Sequence, residues 1–161
     1  MNFFVGTHVN KVDRKGRVSV PADFRALLGK PAKFFAFPSF VNHGIECLTG
    51  SIMESLSETV HGLALFSDEQ DNLADLIFAS SHTLSIDGDG RVVLPESLRI
   101  HAGIEGQSAF VGKGKTFQIW GPLDHDQFQT QARERARADR LALRQRPHGS
   151  GPTPDTMENG T

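Results

Sequence analysis

The feature that most constrains the fold of this chain is an internal repeat. Residues 8–25 and residues 82–99 share seven identical residues at a constant offset of 74. The identical pairs are His8/His82, Asp13/Asp87, Gly16/Gly90, Arg17/Arg91, Val18/Val92, Pro21/Pro95 and Arg25/Arg99. Two copies of such a unit predict a pseudo-twofold arrangement, because a solenoid needs about three or more shorter repeats to bury a core.

Each copy carries the pattern of a strand, a tight turn and a second strand. The turns are predicted at Asp13–Arg17 and Asp87–Arg91, and each contains a glycine available for a positive φ. Residues 17–20 alternate between polar and apolar side chains, as a half-buried strand does. The two copies therefore predict two hairpin units of the same design.

Helix boundaries follow from residues that begin or end helices. Pro21 suits the first turn of a short helix, since its missing N–H costs nothing there. Gly29 is expected to end that helix, and Ser51 is expected to cap a second one. A third helix is predicted in the acidic connection between the copies. Its apolar stripe comprises Leu73, Leu76 and Ile77.

These patterns predict the domain organisation of the chain. The tail is rich in proline and glycine and is expected to be disordered, because it buries too little apolar surface to offset the entropy of ordering it. The predicted segments are a first repeat at 1–66, a connecting helix at 67–80, a second repeat at 81–123, a C-terminal helix at 124–146 and a disordered tail at 147–161.

The distribution of charge favours an anionic partner although the total does not. The net charge of −2 argues weakly against nucleic-acid binding. Residues 1–35 nevertheless carry a charge of +5, residues 36–90 contain no Lys or Arg and carry −9, and residues 91–161 carry +2. Such asymmetry predicts one face that binds an anion beside a segment kept away from it.

The composition favours a soluble protein of the reducing cytoplasm. Cys47 is the single cysteine, so an internal disulfide is excluded. No apolar run approaches the roughly 18 residues needed to cross a bilayer. The N-terminus also lacks the pattern of a signal peptide. We therefore expect no membrane partner.

The repeated motif resembles that of the MraZ family of bacterial transcription factors, which are tandem relatives of AbrB-like swapped-hairpin domains. Each copy has Asp-x-x-x-Arg followed by Val-x-x-Pro-x-x-x-Arg, and the resemblance covers roughly residues 1–143. It implies an α+β fold with a duplicated swapped-hairpin β core, short helices and a C-terminal helix. It also implies ring-like homo-oligomers that bind direct repeats in promoter DNA upstream of cell-division and cell-wall genes, in the cytoplasm and at the nucleoid.

Four residues of the repeated turns are expected to be structural. Asp13 and Asp87 can accept hydrogen bonds from N–H groups of the turn, or pair with the arginine four residues later. Gly16 and Gly90 supply the backbone freedom that the turns need.

The DNA-contacting residues are expected to come mainly from the first copy. Arg14, Lys15 and Arg17 are the predicted contacts, with support from Lys11, because Arg offers a planar fork for phosphate or guanine. The second turn carries Asp89, whose carboxylate would repel a phosphate. Arg91 is therefore predicted either as a further DNA contact or as an ion-pair partner within its own turn.

Enzymatic and cofactor-binding functions fit the sequence poorly. Residues 109–116 nearly match a phosphate-binding loop, but Ala109 replaces the first glycine and a strand pattern follows. A calcium loop starting at Asp87 would place Arg91 and Leu98 at ligand positions. A carboxylate dyad of Asp13 and Asp87 would need one raised pKa, which the nearby arginines oppose. No enzyme activity, cofactor, metal or small-molecule substrate is predicted.

Two further clusters allow alternative interpretations. Phe34, Phe35 and Phe37 could stack on bases, but their place in a predicted hairpin favours core packing. Arginines also recur on one face of the C-terminal helix, where they predict either a solvated surface or an auxiliary contact with phosphates or another subunit. These arginines are Arg133, Arg137, Arg140 and Arg144.

Overall fold

The two copies of the repeat fold into the same succession of strands and helices. The computed structural model describes residues 2–145. Its elements in chain order are β1 (Thr7–Lys11), β2 (Arg17–Ser19), α1 (Ala22–Ala26), β3 (Lys33–Pro38), β4 (Ile45–Leu48), α2 (Gly50–His61), α3 (Asp68–Ala74), a π-helical segment (Asp75–Ala79), β5 (His82–Ser85), β6 (Arg91–Val93), α4 (Glu96–Ala102), β7 (Gln107–Gly112), β8 (Phe117–Trp120) and α5 (Pro122–Gln145). The predicted α+β class is confirmed.

The strands of the two copies interleave in one antiparallel sheet. Among the described residues this sheet has six strands in the order β1-β7-β8-β4-β3-β5. The first strand of each copy pairs with the other copy, β1 with β7 and β5 with β3. His8 lies opposite Phe110, and its repeat equivalent His82 lies opposite Ala36. Neither copy can complete its sheet alone, which is the exchange expected of swapped hairpins.

A second, smaller sheet marks the pseudo-twofold axis. It consists of β2 and β6 in the described part of the chain. Val18 lies directly opposite its own repeat equivalent, Val92. Beyond the strands, the Val20 N–H donates to the Gly90 carbonyl at 2.9 Å, and the Leu94 N–H donates to the Gly16 carbonyl at 2.8 Å. The glycine of each turn is therefore bonded to the strand end of the other copy.

Aromatic side chains fill the space between the two sheets. Phe24 from α1 lies 5.2 Å from Phe4 and 5.1 Å from Phe117 between ring centroids, and Phe34 lies 5.1 Å from Phe117. All four rings are buried. Burying each such side chain contributes roughly 1.5–3 kcal/mol. Core packing is thus confirmed for Phe34 and Phe37, which are buried, whereas Phe35 is only half-buried on β3.

The helix boundaries differ by a few residues from those expected. Thr49, not Ser51, caps α2, because its extended backbone lets its hydroxyl accept from the Ile52 N–H. Pro21 precedes α1 instead of lying in its first turn. That helix ends at Ala26, before Gly29, because the next N–H groups bond three residues back in a tighter turn.

The apolar stripe between the copies is rotated relative to the prediction. Leu73 packs against a second core cluster and Ile77 is buried in it, but Leu76 is 43% exposed and Phe78 packs in its place. A π-helical segment covers Asp75–Ala79. The packed residues Leu73, Ala74, Ile77 and Phe78 follow i, i+1, i+4 and i+5 spacing on one helical face, and Leu76 falls on the other side of Leu73 from that face.

The chain divides into two compact units. The first runs to His125 and the second begins at Asp126, within α5. In the second unit, Arg133, Arg137, Arg140 and Arg144 are all exposed. The predicted C-terminal helix is present, whereas the predicted disordered tail at 147–161 lies outside the described residues. No helix within residues 2–145 is long and apolar enough to span a membrane.

Replacing Phe24 by alanine tests the aromatic core. Phe24→Ala is expected to lower the free energy of unfolding by about 3–5 kcal/mol, since it removes a buried ring and leaves a cavity. Phe66→Ala is the matched control, because Phe66 is 91% exposed, and its expected effect is within about 0.5 kcal/mol. Urea unfolding at one protein concentration measures both variants. Equal effects would contradict the described core.

Candidate nucleic-acid interface

Two hydrogen-bonded turns flank the β2–β6 pair, one at each end. The first turn is Asp13–Arg17 and the second turn is Asp87–Arg91. Each leads directly into one of these paired strands, with Arg17 opposite Val93 and Arg91 opposite Ser19. Because the strands are antiparallel, the two turns lie at opposite ends of this short sheet, and each is bonded to the C-terminal end of the other copy's strand.

Asp13 organises the first turn through three hydrogen bonds. Its Oδ1 accepts from the backbone N–H groups of Lys15 at 2.9 Å and Arg17 at 2.8 Å. Its Oδ2 accepts from Arg17 Nε at 2.7 Å. The backbone closes the turn as well, since the Gly16 N–H donates to the Asp13 carbonyl and the Asp13 N–H donates to the Arg17 carbonyl. The turn therefore holds Arg17 by its Nε atom.

The second turn repeats the backbone geometry but not the side-chain pairing. Asp87 Oδ1 accepts from the N–H groups of Asp89 and Arg91, each at 2.9 Å. Arg91 Nε lies 3.9 Å from Asp87 Oδ2 and makes no hydrogen bond although it is buried. Instead Arg91 Nη2 donates to Asp89 Oδ2 at 3.3 Å. The arginine of the second turn is thus turned toward a carboxylate that the first turn lacks.

Both motif aspartates have lowered pKa values. The hydrogen bond from the Arg17 N–H is the main cause that lowers the pKa of Asp13, and the Arg17 side chain adds to it. The Arg91 N–H chiefly lowers the pKa of Asp87, with smaller contributions that include the positive charge of Arg17 in the first turn. The two carboxylates are therefore both ionised and electrostatically linked to one arginine, which contradicts the alternative of a proton-sharing dyad.

Arg14, Lys15 and Lys11 present their charges to solvent. All three side chains are exposed, and none makes an ion pair or side-chain hydrogen bond within residues 2–145. Lys11 lies at the end of β1, which is joined to β2 by a bridge between Val12 and Val18. It therefore flanks the first turn from the neighbouring strand.

Two arginines that brace the turns received no role from the sequence. Arg25 Nη1 donates to the Val20 carbonyl at 3.1 Å and its guanidinium packs on Gly90. Its equivalent Arg99 donates through Nε to the Leu94 carbonyl at 3.1 Å and packs on Gly16. Each arginine thus supports the turn of the other copy. The signal was available, because Arg25/Arg99 is one of the seven identical pairs.

The structure offers no support for nucleotide or metal chemistry in the described residues. The phosphate-loop-like segment 109–116 lies in a β-hairpin, where the Lys113 N–H donates to the Thr116 carbonyl and β8 follows. A phosphate loop instead leads from a strand into a helix. Residues 2–145 contain no cluster of three or more potential metal ligands. Burial raises the pKa of the Cys47 thiol well above its ordinary value, so this thiol is a poor nucleophile.

Alanine at Gly16 tests the contact between the turn and the other copy. Gly16 has φ +85, and a Cβ there would lie 2.8 Å from the Leu94 carbonyl oxygen. Gly29 is the control, because it has φ +80 but no atom within 4 Å of a Cβ. Gly29→Ala is expected to lower stability by about 1–2 kcal/mol through backbone strain. Gly16→Ala is expected to cost at least about 1 kcal/mol more, measured by urea unfolding; equal costs would contradict the contact.

The lowered pKa of Asp13 predicts a loss of stability in acid. Because the folded-state pKa is lowered, the carboxylate's contribution is fully present above the ordinary aspartate pKa. It is lost as the pH falls through the lowered value. Asp13→Asn removes this contribution, so the stability gap between wild type and the variant is expected to close in acid. Unfolding curves from neutral to acidic pH measure the gap; a gap that stays constant would contradict the prediction.

Comparison with known proteins identifies the family. Residues 77–145 match the family model described as "MraZ protein, putative antitoxin-like". The protein named Transcriptional regulator MraZ from Rickettsia africae is 45% identical over 146 residues, which cover 89% of this chain and 98% of that protein. The protein of the same name from Rickettsia bellii is 45% identical over 147 residues with the same coverage. Because these relatives are 45% identical over 89% of the chain, the chain belongs to the MraZ family.

Proposed function

We propose that this protein is a sequence-specific DNA-binding transcriptional regulator that acts as a homo-oligomer. The relatives named as transcriptional regulators match nearly the whole chain. The observation that carries the proposal is the first turn, in which exposed Arg14 and Lys15 stand beside Arg17 on a hydrogen-bonded frame. Neither exposed cation has a partner inside the described protein, so both are available to an anion.

The first turn has the chemistry required to bind a DNA backbone and a base edge. Arg14 and Lys15 are assigned to phosphates, and Lys11 extends the same positive surface. Arg17 is held through Nε, so its two terminal nitrogens remain able to donate to a phosphate or to guanine O6 and N7. Arg91 is assigned to the same interface with a weaker contribution. Asp13, Gly16, Asp87 and Gly90 act by shaping the two turns.

Oligomerisation explains how a mildly acidic chain binds DNA. The three or four cations of one protomer can neutralise only a few phosphates, so counterion release contributes little to its affinity for DNA. A ring of identical protomers presents the first turn several times, and each further contact forms at high effective concentration. Direct repeats in the DNA would supply equally spaced sites for such an array. Steep salt dependence is the expected signature.

The proposed targets are promoter repeats upstream of the cell-division and cell-wall gene cluster. Occupancy of these repeats would compete with RNA polymerase or alter its access to the promoter. The protein would therefore act in the cytoplasm at the nucleoid. It would use no cofactor and catalyse no reaction, and its partners would be duplex DNA and further copies of itself.

A triple substitution in the first turn tests the proposal. Arg14/Lys15/Arg17→Ala is expected to abolish nearly all binding to a duplex from the protein's own promoter region. The slope of log affinity against log salt should flatten by about 0.9 for each phosphate that the variant no longer neutralises. Gel shift and fluorescence anisotropy over a range of salt concentrations measure both effects.

The matched control removes the same charge elsewhere in the chain. Arg133/Arg137/Arg140→Ala also deletes three exposed arginines, all on α5. This variant is expected to keep most of the affinity if the first turn is the principal contact. Unchanged binding by the first-turn variant would refute the assignment, and loss of binding only in the α5 variant would move the interface to that helix.

The family description also favours a second candidate, an antitoxin-like or scaffold protein that binds another protein. The same exposed cations would then meet an acidic protein surface rather than DNA. Retention on heparin followed by footprinting upstream of the gene separates the two. Protected promoter repeats support the regulator, whereas absence of any protection favours the protein-binding role.

A further inference from the structure

We propose that Asp89 silences the second turn by occupying Arg91, so that each protomer engages DNA chiefly with its first turn. This inference rests on the proposed DNA-binding function and specifies which of the two turns takes the phosphate. Asp89 is not one of the residues that the two copies share, and it does not lie in the core. Its negative charge would set the affinity of the second turn for DNA.

The two turns differ at the positions that face solvent. The repeat aligns Asp89 with Lys15 and Gly88 with Arg14, so two cations of the first turn become a carboxylate and a glycine. The shared aspartates, glycines and arginines keep the backbone nearly the same in both turns. The difference is therefore one of charge and not of shape.

The pairing of each arginine follows from this difference. Arg17 uses Nε to reach Asp13 at 2.7 Å, and its two terminal nitrogens make no hydrogen bond within the described chain. Arg91 uses a terminal nitrogen, Nη2, to reach Asp89 at 3.3 Å. The terminal nitrogens are those that a phosphate or a guanine edge needs. Both terminal nitrogens of Arg17 can therefore donate to DNA, whereas one terminal nitrogen of Arg91 already donates to Asp89.

The surface beside the second turn also repels an anion. An open hollow there is lined by Asp87 and Asp89 together with Arg25. The hollow therefore carries two negative charges and one positive charge, and this balance disfavours a phosphate beside the second turn.

A purely structural role for Asp89 is a weak alternative. Its side chain is 79% exposed, and exposed ion pairs of this kind contribute little to stability. The N–H groups that shape the second turn bond to Asp87, not to the Asp89 side chain. Asp89 can therefore be replaced without dismantling the turn, which makes the inference directly testable.

The test is a gain of function in Asp89→Asn. This variant keeps the size of the side chain and removes its charge. Binding to a promoter duplex from upstream of the protein's own gene is expected to tighten by roughly tenfold, the value of one charge-assisted contact. The salt slope is expected to steepen by about one unit per engaged protomer. Fluorescence anisotropy across salt concentrations measures both quantities.

Three control variants locate the origin of the gain. Asp89→Glu retains the negative charge and is expected to bind as wild type does. Glu54→Gln removes one exposed negative charge on α2, outside the turns, and is expected to change nothing. The double variant Asp89→Asn/Arg91→Ala is expected to bind the duplex no more tightly than wild type, because the increase in affinity depends on Arg91.

The outcomes distinguish this inference from the function on which it rests. Wild-type affinity in Asp89→Asn, or a gain that survives in the double variant, would overturn the inference while the first-turn triple variant still tests DNA binding. Failure of the wild-type protein to bind the duplex at any salt concentration would overturn both. Thermal unfolding of each variant confirms that the compared proteins are folded.

Discussion

The structure depends on the pairing of β2 with β6 across the pseudo-twofold axis. Val18 lies opposite Val92 in this pair. The Gly16 carbonyl accepts a hydrogen bond from the Leu94 N–H, and the Gly90 carbonyl accepts one from the Val20 N–H. Because β1 and β5 also pair with the opposite copy, neither hairpin unit contains all of its own strand partners. One interaction therefore closes the core and fixes one turn at each end of the smaller sheet.

Duplication allows the two turns to share a frame and to differ in chemistry. In each turn the aspartate accepts hydrogen bonds from backbone N–H groups, and the glycine allows the opposite strand to approach closely. An arginine of the other copy packs on that glycine. The solvent-facing positions carry Arg14 and Lys15 in one copy but Gly88 and Asp89 in the other. A symmetric fold thus presents an asymmetric electrostatic surface, in keeping with the single principal contact that we propose for each protomer.

Much of this arrangement could be predicted from the sequence because it is local. The turns, the strands and the α+β class follow from glycine, alternation and the repeated motif. Thr49 was missed as the cap of α2 because Ser51 fits the same pattern. Leu76 was misassigned because helical spacing alone does not decide whether the apolar face extends from Leu73 toward Leu76 or toward Ala74 and Phe78. The bracing by Arg25 and Arg99 was missed because it crosses between the copies, and spacing along a chain does not report such contacts.

The central claim is that the first turn carries the protein's principal contact with DNA. A crystal structure of the protein bound to a promoter duplex tests it most directly. We predict phosphate or guanine atoms within about 3.2 Å of Arg14, Lys15 or Arg17 in the engaged protomers, and fewer or none at that distance from Arg91. A duplex bound along another face, with the first turn pointing into solvent, would contradict it.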